Sequence, residues 1–213
     1  MKSSSALFPV SLLKADCVGV ITEDTYLIKH NLDPDLSVQI AISRLGRQGV
    51  SHSGMPLILV HGSFTNRGFW LSRGGQGLAR FLLEDGFDIW LLEHRGHGLS
   101  PRNQDYVNNS VERYALYDLP AAQAFVTEQT GKTPAWIGHS LGGGMIATAL
   151  AAGGIATKAV QYCTYRLANG DATLVFVVSR CWFCIASHRF FSSGIGRTAV
   201  TDWPRERTCR CHQ

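Results

Sequence analysis

What this chain lacks narrows the possibilities first. No apolar stretch reaches the ~18 residues that a membrane-spanning helix needs, which excludes an integral helical membrane protein. Charged residues make up only 17% against 45% hydrophobic, which excludes a disordered chain and a charge-laced coiled coil. Lysine is missing from the last quarter: residues 160–213 hold seven Arg, no Lys and three acids, Asp171, Asp202 and Glu206. Cysteine is nearly missing from everything before it, with Cys17 alone preceding Cys163, Cys181, Cys184, Cys209 and Cys211. Residues 1–159 balance 13 Lys+Arg against 13 Asp+Glu, so the net charge of +4 belongs wholly to the last quarter. Its arginines are scattered rather than clustered on one element, which argues against a nucleic-acid partner. A length of 213 residues is that of one domain.

Targeting signals are equally sparse. The short apolar run from Ala6 to Leu13 is broken by Pro9 and ends at Lys14, and Asp16 stands where a cleavage or lipidation site needs a small residue. We expect a cytoplasmic chain with reduced cysteines and no stable membrane insertion. Oligomeric state is left open by the sequence.

The text that is present reads as an α/β fold. Val20–Ile28 and the alternating Ser37–Ser43 flank a turn at Asn31–Asp35, which predicts an antiparallel hairpin. Leu57–Val60, Phe87–Leu92 and Ala135–Ile137 are short continuous apolar runs, as expected for strands buried on both faces of a parallel sheet. Between and after them, Gly77–Glu84, Leu119–Gly131 and Leu141–Ala152 read as helices, the second with Asp118 as N-cap and Pro120 in its first turn. The alternation predicts a mostly parallel sheet with helices on both faces.

Beyond residue 160 the regularity fades. Leu174–Val178 could form one more strand, Trp182–Ala186 is apolar without a period, and Ser192–Gln213 fits no template. We therefore divide the chain into residues 1–159, the N-terminal part of a single α/β domain, and an irregular segment, 160–213. Arginine without lysine, clustered cysteines and lost periodicity lead us to expect that residues from about 160 onward are translated out of frame or end a truncated product. A sheet ending after the Leu141 helix would bare an apolar edge, so poor solubility is expected.

The chemistry centres on Gly138-His139-Ser140-Leu141-Gly142. With 17 serines and 22 glycines in 213 residues, about 0.2 such G-x-S-x-G pentapeptides arise by chance. Context strengthens the signal, because the pentapeptide follows a predicted strand and opens a predicted helix. A turn that tight holds serine in a strained conformation and needs nearly side-chain-free positions two before and two after, which Gly138 and Gly142 supply. An acyl-transfer site also needs preorganised N–H donors for the oxyanion. The backbone N–H of Leu141 can be one, and that of Ser63, in His61-Gly62-Ser63-Phe64 after the first buried strand, the other.

At these residues the sequence resembles the α/β-hydrolase superfamily, and within it the acid lipase/esterase branch. The resemblance runs from Thr22–Ile28 through Leu59-Val60-His61-Gly62, Gly86–Leu91, Arg95-Gly96-His97-Gly98-Leu99-Ser100 and Tyr117–Ala121 to Ile137–Ser140, about residues 20–155. It implies a cofactor-free hydrolase of carboxylic or lipid esters, with Ser140 as nucleophile. The family's acid and histidine follow the nucleophile by well over a hundred residues, whereas only 73 follow Ser140. Asp171 with His188, or Asp202 with His212, has the right chain order, but neither pair sits in matching text, so the triad acid and histidine stay unassigned.

Other groups take plainer readings. His94, His97 and His139 are expected to shape loops or pack, and Glu93 and Arg95 to form a polar strand exit. Cys181-x-x-Cys184 with Cys209-x-Cys211 lacks a zinc-ribbon pattern, so no metal is expected. Two functions remain: hydrolysis of a lipid-like or small acyl ester through an acyl-enzyme at Ser140, or a non-catalytic α/β-hydrolase-like protein lacking its acid and base. Acyl transfer to an acceptor other than water would use the same residues.

Overall fold

The structure, a computed structural model, describes residues 5–51, 53–156, 159–163 and 177–179. By internal contacts the chain divides into residues 1–178 and 179–213. The first unit, with the short strand that closes it, holds all the described residues. Trp182–Ala186, both acid–histidine pairs and the cysteines after Cys163 lie outside the described residues.

The strands are β1 (Val10–Val18), β2 (Ile21–Ile28), β3 (Ile40–Arg47), β4 (Pro56–Val60), β5 (Asp88–Glu93), β6 (Ala135–His139), β7 (Ala159–Cys163) and β8 (Val177–Ser179). They form one sheet in the order β1-β2-β3-β5-β4-β6-β7-β8. The expected hairpin is β2–β3, with Ile28 opposite Ile40 and Ile21 opposite Arg47. Its second strand runs on past Ser43, through Gly46 to Arg47.

Two strands depart from expectation. β1 pairs antiparallel with β2 and went unrecognised because Leu12-Leu13 breaks its alternation; the register shifts there, between Leu12 and Lys14. The sheet also continues past the Leu141 helix, since β7 pairs parallel with β6 and β8 follows it in the order. The expected bare edge beside β6 is therefore covered. Val177 and Val178 of the suggested Leu174–Val178 strand fall in β8, and its first three residues are outside the described set.

β4 and β5 are buried at every residue, as two-faced burial requires. Ile58, Val60, Trp90 and Leu92 share a core with Phe125 and Val126 of α3 (Leu119–Thr130) and with Met145 and Ile146 of α4 (Leu141–Ala151). Successive strand residues point to opposite faces, so Leu57, Leu59, Ile89 and Leu91 serve the other side. There α1 (Leu78–Glu84) packs on β5, burying Ala79, Leu82 and Leu83. Each fully buried aliphatic or aromatic side chain contributes about 1.5–3 kcal/mol.

Asp118 is not the N-cap that its position suggested. Its backbone is helical and its side chain makes no capping bond. The chain is already wound before it, through the one-turn α2 (Val111–Arg113) and a π-helical segment, Tyr114–Asp118, in which the Leu119 N–H reaches the Tyr114 carbonyl. Pro120 explains the widened turn: it has no N–H to give and its ring would crowd the Leu116 carbonyl in a regular helix. The carboxylate of Asp118 is thereby free for Arg95.

Candidate functional site

The carboxyl ends of the parallel strands β4 and β6 lie side by side, with Val60 opposite Gly138. The loop leaving β4 and the turn leaving β6 thus meet at one edge of the sheet. Ser140 stands in that turn with φ 49° and ψ −117°, a region that side chains rarely occupy, and it is exposed. The next residue starts α4, where Gly143 and Gly144 N–H donate to the Ser140 carbonyl at 3.0 and 3.2 Å. The N–H groups of Leu141 and Gly142 precede that ladder and aim the positive end of α4 along the turn.

Glycine is required here by contact. A Cβ on Gly138 would lie 2.5 Å from the Gly143 nitrogen, and one on Gly142 would lie 2.4 Å from the Val60 carbonyl oxygen. A Cβ on Gly62 would lie 2.7 Å from His139 Nδ1 and 3.1 Å from Ser140 Cβ. The backbone at Gly62, one residue before Ser63, is therefore pressed against the serine turn, one residue before Leu141. Phe64, the residue after Ser63, is also left-handed at φ 58° and is 99% exposed.

Several groups hold this loop that sequence reasoning had not assigned to it. The Gly62 carbonyl accepts from His61 Nδ1 at 2.8 Å and from the Thr65 hydroxyl at 3.0 Å. His61 is buried and stacks beside His94 with ring centroids 4.1 Å apart; His94 in turn meets His97 at 4.0 Å and Tyr114 at 5.0 Å. Burial holds His61 at about 4, opposed by the Gly62 carbonyl and reinforced by His97 and His139. His94 is pushed lower still, again chiefly by burial. His139 stacks on Phe69 at 4.2 Å, the packing role expected of it.

Glu93 and Arg95 are buried at 1% and 0% exposure. Glu93 accepts from the Arg67 N–H and the Leu99 N–H, both at 3.0 Å, tying the loop after β4 to the loop after β5. Its burial raises its pKa, and those two N–H donors oppose the rise. Arg95 pairs with Asp118 and with Asp33, and Asp118 also meets His30, all four side chains fully buried. No spacing rule reveals this cluster, since its members come from separate segments. Among the described residues no group of three or more His, Cys, Asp or Glu side chains is arranged to hold a metal ion. No helix among them is long and apolar enough to cross a membrane.

Fold and turn together define a class: an α/β sheet protein with a serine at a tight strand-to-helix bend on the carboxyl edge of its parallel strands. The family model described as alpha/beta hydrolase fold matches residues 55–164, just over half of the chain, and the protein belongs to that family. Human gastric triacylglycerol lipase is 33% identical over 134 residues, which cover 58% of this chain and 31% of that one. Human lipase member K is 37% identical over 93 residues, covering 39% and 23%. Triacylglycerol lipase 2 of Arabidopsis thaliana is 30% identical over 136 residues, covering 58% and 30%. The aligned part spans about a third of the length of the gastric lipase it matches. Among solved structures, a cold-adapted esterase from an Arctic intertidal metagenomic library superposes with a TM-score of 0.52 at 19% identity, covering 71% of this chain and 64% of that one. That similarity supports the fold alone.

Proposed function

We propose that the protein hydrolyses carboxylic esters of lipid-like or small acyl type, with Ser140 as nucleophile. The conformation of Ser140 carries the reading: a strained, exposed serine between β6 and α4, with glycines where any side chain would collide. Strain of this kind costs on the order of 1–3 kcal/mol and persists where the surrounding packing enforces it. The lipase relatives support ester chemistry.

In this reading Ser140 Oγ attacks the ester carbonyl carbon and loses its proton to a base. The tetrahedral oxyanion is met by the N–H groups of Ser63 and Leu141. Collapse breaks the bond to the alkoxy oxygen, which leaves as the alcohol with that proton, and water then releases the acyl group from Ser140. Each oxyanion donor is worth about 10²–10³ in kcat. A hydroxyl is a poor nucleophile without an oriented base. Asp171–His188 and Asp202–His212 are two acid–histidine pairs in suitable chain order.

The test is hydrolysis of a p-nitrophenyl acyl ester by the full chain beside Ser140→Ala, with mass spectrometry after a fluorophosphonate probe. Ser140-dependent turnover and a single adduct on Ser140 are expected. Equal rates for both proteins and no adduct would leave the non-catalytic reading. Because oxyanion donors and binding alone leave about 10³–10⁴-fold catalysis over water, the ratio to Ser140→Ala decides, not bare activity. Ester products formed with an added alcohol would reveal acyl transfer.

A further inference from the structure

Beside the Ser63 loop lies a cleft of about 520 Å³, within the range of small-molecule sites. Lys14, Arg67 and Arg73 line it, against a single carboxylate, Glu23. Glu23 is itself only 5% exposed. Its oxygens are taken by Arg67 at 2.7 and 3.3 Å and approached by Lys14 at 3.7 Å. Lys14 also pairs with Asp16, at 2.5 Å, and Arg73 has no acidic partner among the described residues. Three cations thus face one lining carboxylate; Lys14 and Arg67 are engaged by Asp16 and Glu23, with the buried Glu93 also near Arg67, and Arg73 is the cation left over.

The neutral groups have the same polarity. Asn66 Oδ1 is used by the Gly68 N–H at 2.8 Å, which leaves its amide Nδ2 to donate. Ser72 Oγ accepts from the Gln76 N–H at 3.1 Å, which leaves its O–H to donate. The lining side chains therefore offer donors and cations, while each side-chain acceptor among them already has a partner. A compact anion with several acceptor oxygens complements that, and arginine forks suit phosphate and carboxylate in particular. Ser63 and Asn66 are three residues apart, at most about 11 Å of chain.

We propose that this cleft binds a phosphate or carboxylate group. It thereby selects esters carrying a negative charge roughly a loop's length from the scissile bond. The selection rests on the hydrolase reading; the anion binding does not.

Inorganic phosphate titrated into the full chain by calorimetry, at about 0.15 M ionic strength, tests the binding. Distant charges are screened there beyond about 8 Å. Arg73→Gln and Lys14→Gln remove cleft charges from exposed or half-exposed positions. Arg80→Gln removes one outside the cleft, where Arg80 pairs with Glu84. Saturable binding is expected for the wild type and Arg80→Gln, weakened at least fivefold in the other two. Sedimentation with phosphatidylglycerol against phosphatidylcholine vesicles separates the sources. Arg73-dependent, phosphate-competed retention on the anionic vesicles assigns a lipid headgroup, and phosphate saturation without retention assigns a free solute. Binding of neither probe, or binding equal in Arg73→Gln and Arg80→Gln, overturns the proposal. Finally, the kcat/KM preference for mono-p-nitrophenyl suberate, whose chain lets the carboxylate reach about a loop's length from the scissile carbonyl, over p-nitrophenyl octanoate should fall at least fivefold in Arg73→Gln, and an unchanged preference would overturn the selection. Absence of Ser140-dependent turnover would defeat the hydrolase reading while the phosphate titration still decides the cleft.

Discussion

Replacing Asp118 by alanine should cost about 3–5 kcal/mol, the penalty for breaking a buried ionic group by removing one member. Asp118 accepts from Arg95 Nε at 3.0 Å and lies 3.1 Å from His30 Nε2. His30 Nδ1 accepts from the Leu32 N–H at 3.0 Å, so the ring proton sits on Nε2 and faces Asp118. Burial works against the charge on Arg95, and Asp118 with Asp33 overturns that, holding its pKa above the ordinary value. Without Asp118 the guanidinium keeps one counter-charge, at Asp33, 2.7 Å away, and His30 loses its acceptor, all without access to water. The contrast is Glu84→Ala, which removes the half-exposed Arg80–Glu84 pair and should cost about 0.3–0.5 kcal/mol. Urea unfolding followed by the fluorescence of the buried Trp70, Trp90 and Trp136 measures both. At about 2–4 °C per kcal/mol, Asp118→Ala should lower Tm by roughly 6–20 °C. A loss below about 1 kcal/mol, or one matching Glu84→Ala, would refute the claim that these charges are desolvated.

Two glycines of α4 should respond in opposite directions. Gly142→Ala drives a Cβ to 2.4 Å from the Val60 carbonyl oxygen and should cost about 3 kcal/mol or more, whereas Gly144→Ala meets nothing within 4 Å and should gain about 0.5–1 kcal/mol. Phe64→Asn relieves a left-handed backbone at a side chain that touches little, so the urea midpoint should rise by the equivalent of about 0.5–1 kcal/mol. His61 is held down to about 4 from 6.5 by burial, so between those values the unfolded chain binds a proton that the folded chain refuses. Its contribution to stability is full above about pH 6.5 and is lost as pH falls toward about 4; urea midpoints across that window should decline more steeply than in His61→Phe.

Much of the fold was legible because its signals are local. Leu57–Val60 and Phe87–Leu92 announce buried strands by having no polar face, and Gly131, at φ 68°, ends α3 where a left-handed cap is needed. The serine turn was legible for a steric reason, since two glycines around a serine between a strand and a helix have few other uses. β1 was not, because Leu13 shifts the alternation on which a strand is recognised. Asp118 looked like a cap because residue type and position before a proline are local cues, whereas its partners His30 and Arg95 lie 88 and 23 residues away. The cleft around Arg67 was hidden for the same reason: Lys14 and Glu23 reach it from strands far along the chain.

These long-range contacts share a purpose in the fold. Glu93 ties the loop after β4 to the loop after β5, and Gly98 is glycine because a Cβ there would fall 1.7 Å from Glu93 Oε1. His61, stacked on His94, holds the Gly62 carbonyl on one side while Ser140 bears on Gly62 from the other. Amides that stabilise a developing charge help only if they are in place before it forms, since reorganising them during the reaction would spend the energy they supply. In the proposed mechanism Glu93 and His61 therefore act on chemistry indirectly, by fixing the Gly62-Ser63 peptide whose N–H is the proposed oxyanion donor. On that argument, substitutions at Glu93 or His61 that preserve folding should lower kcat more than they raise KM, because a loosened loop fails the transition state before it fails the bound ester.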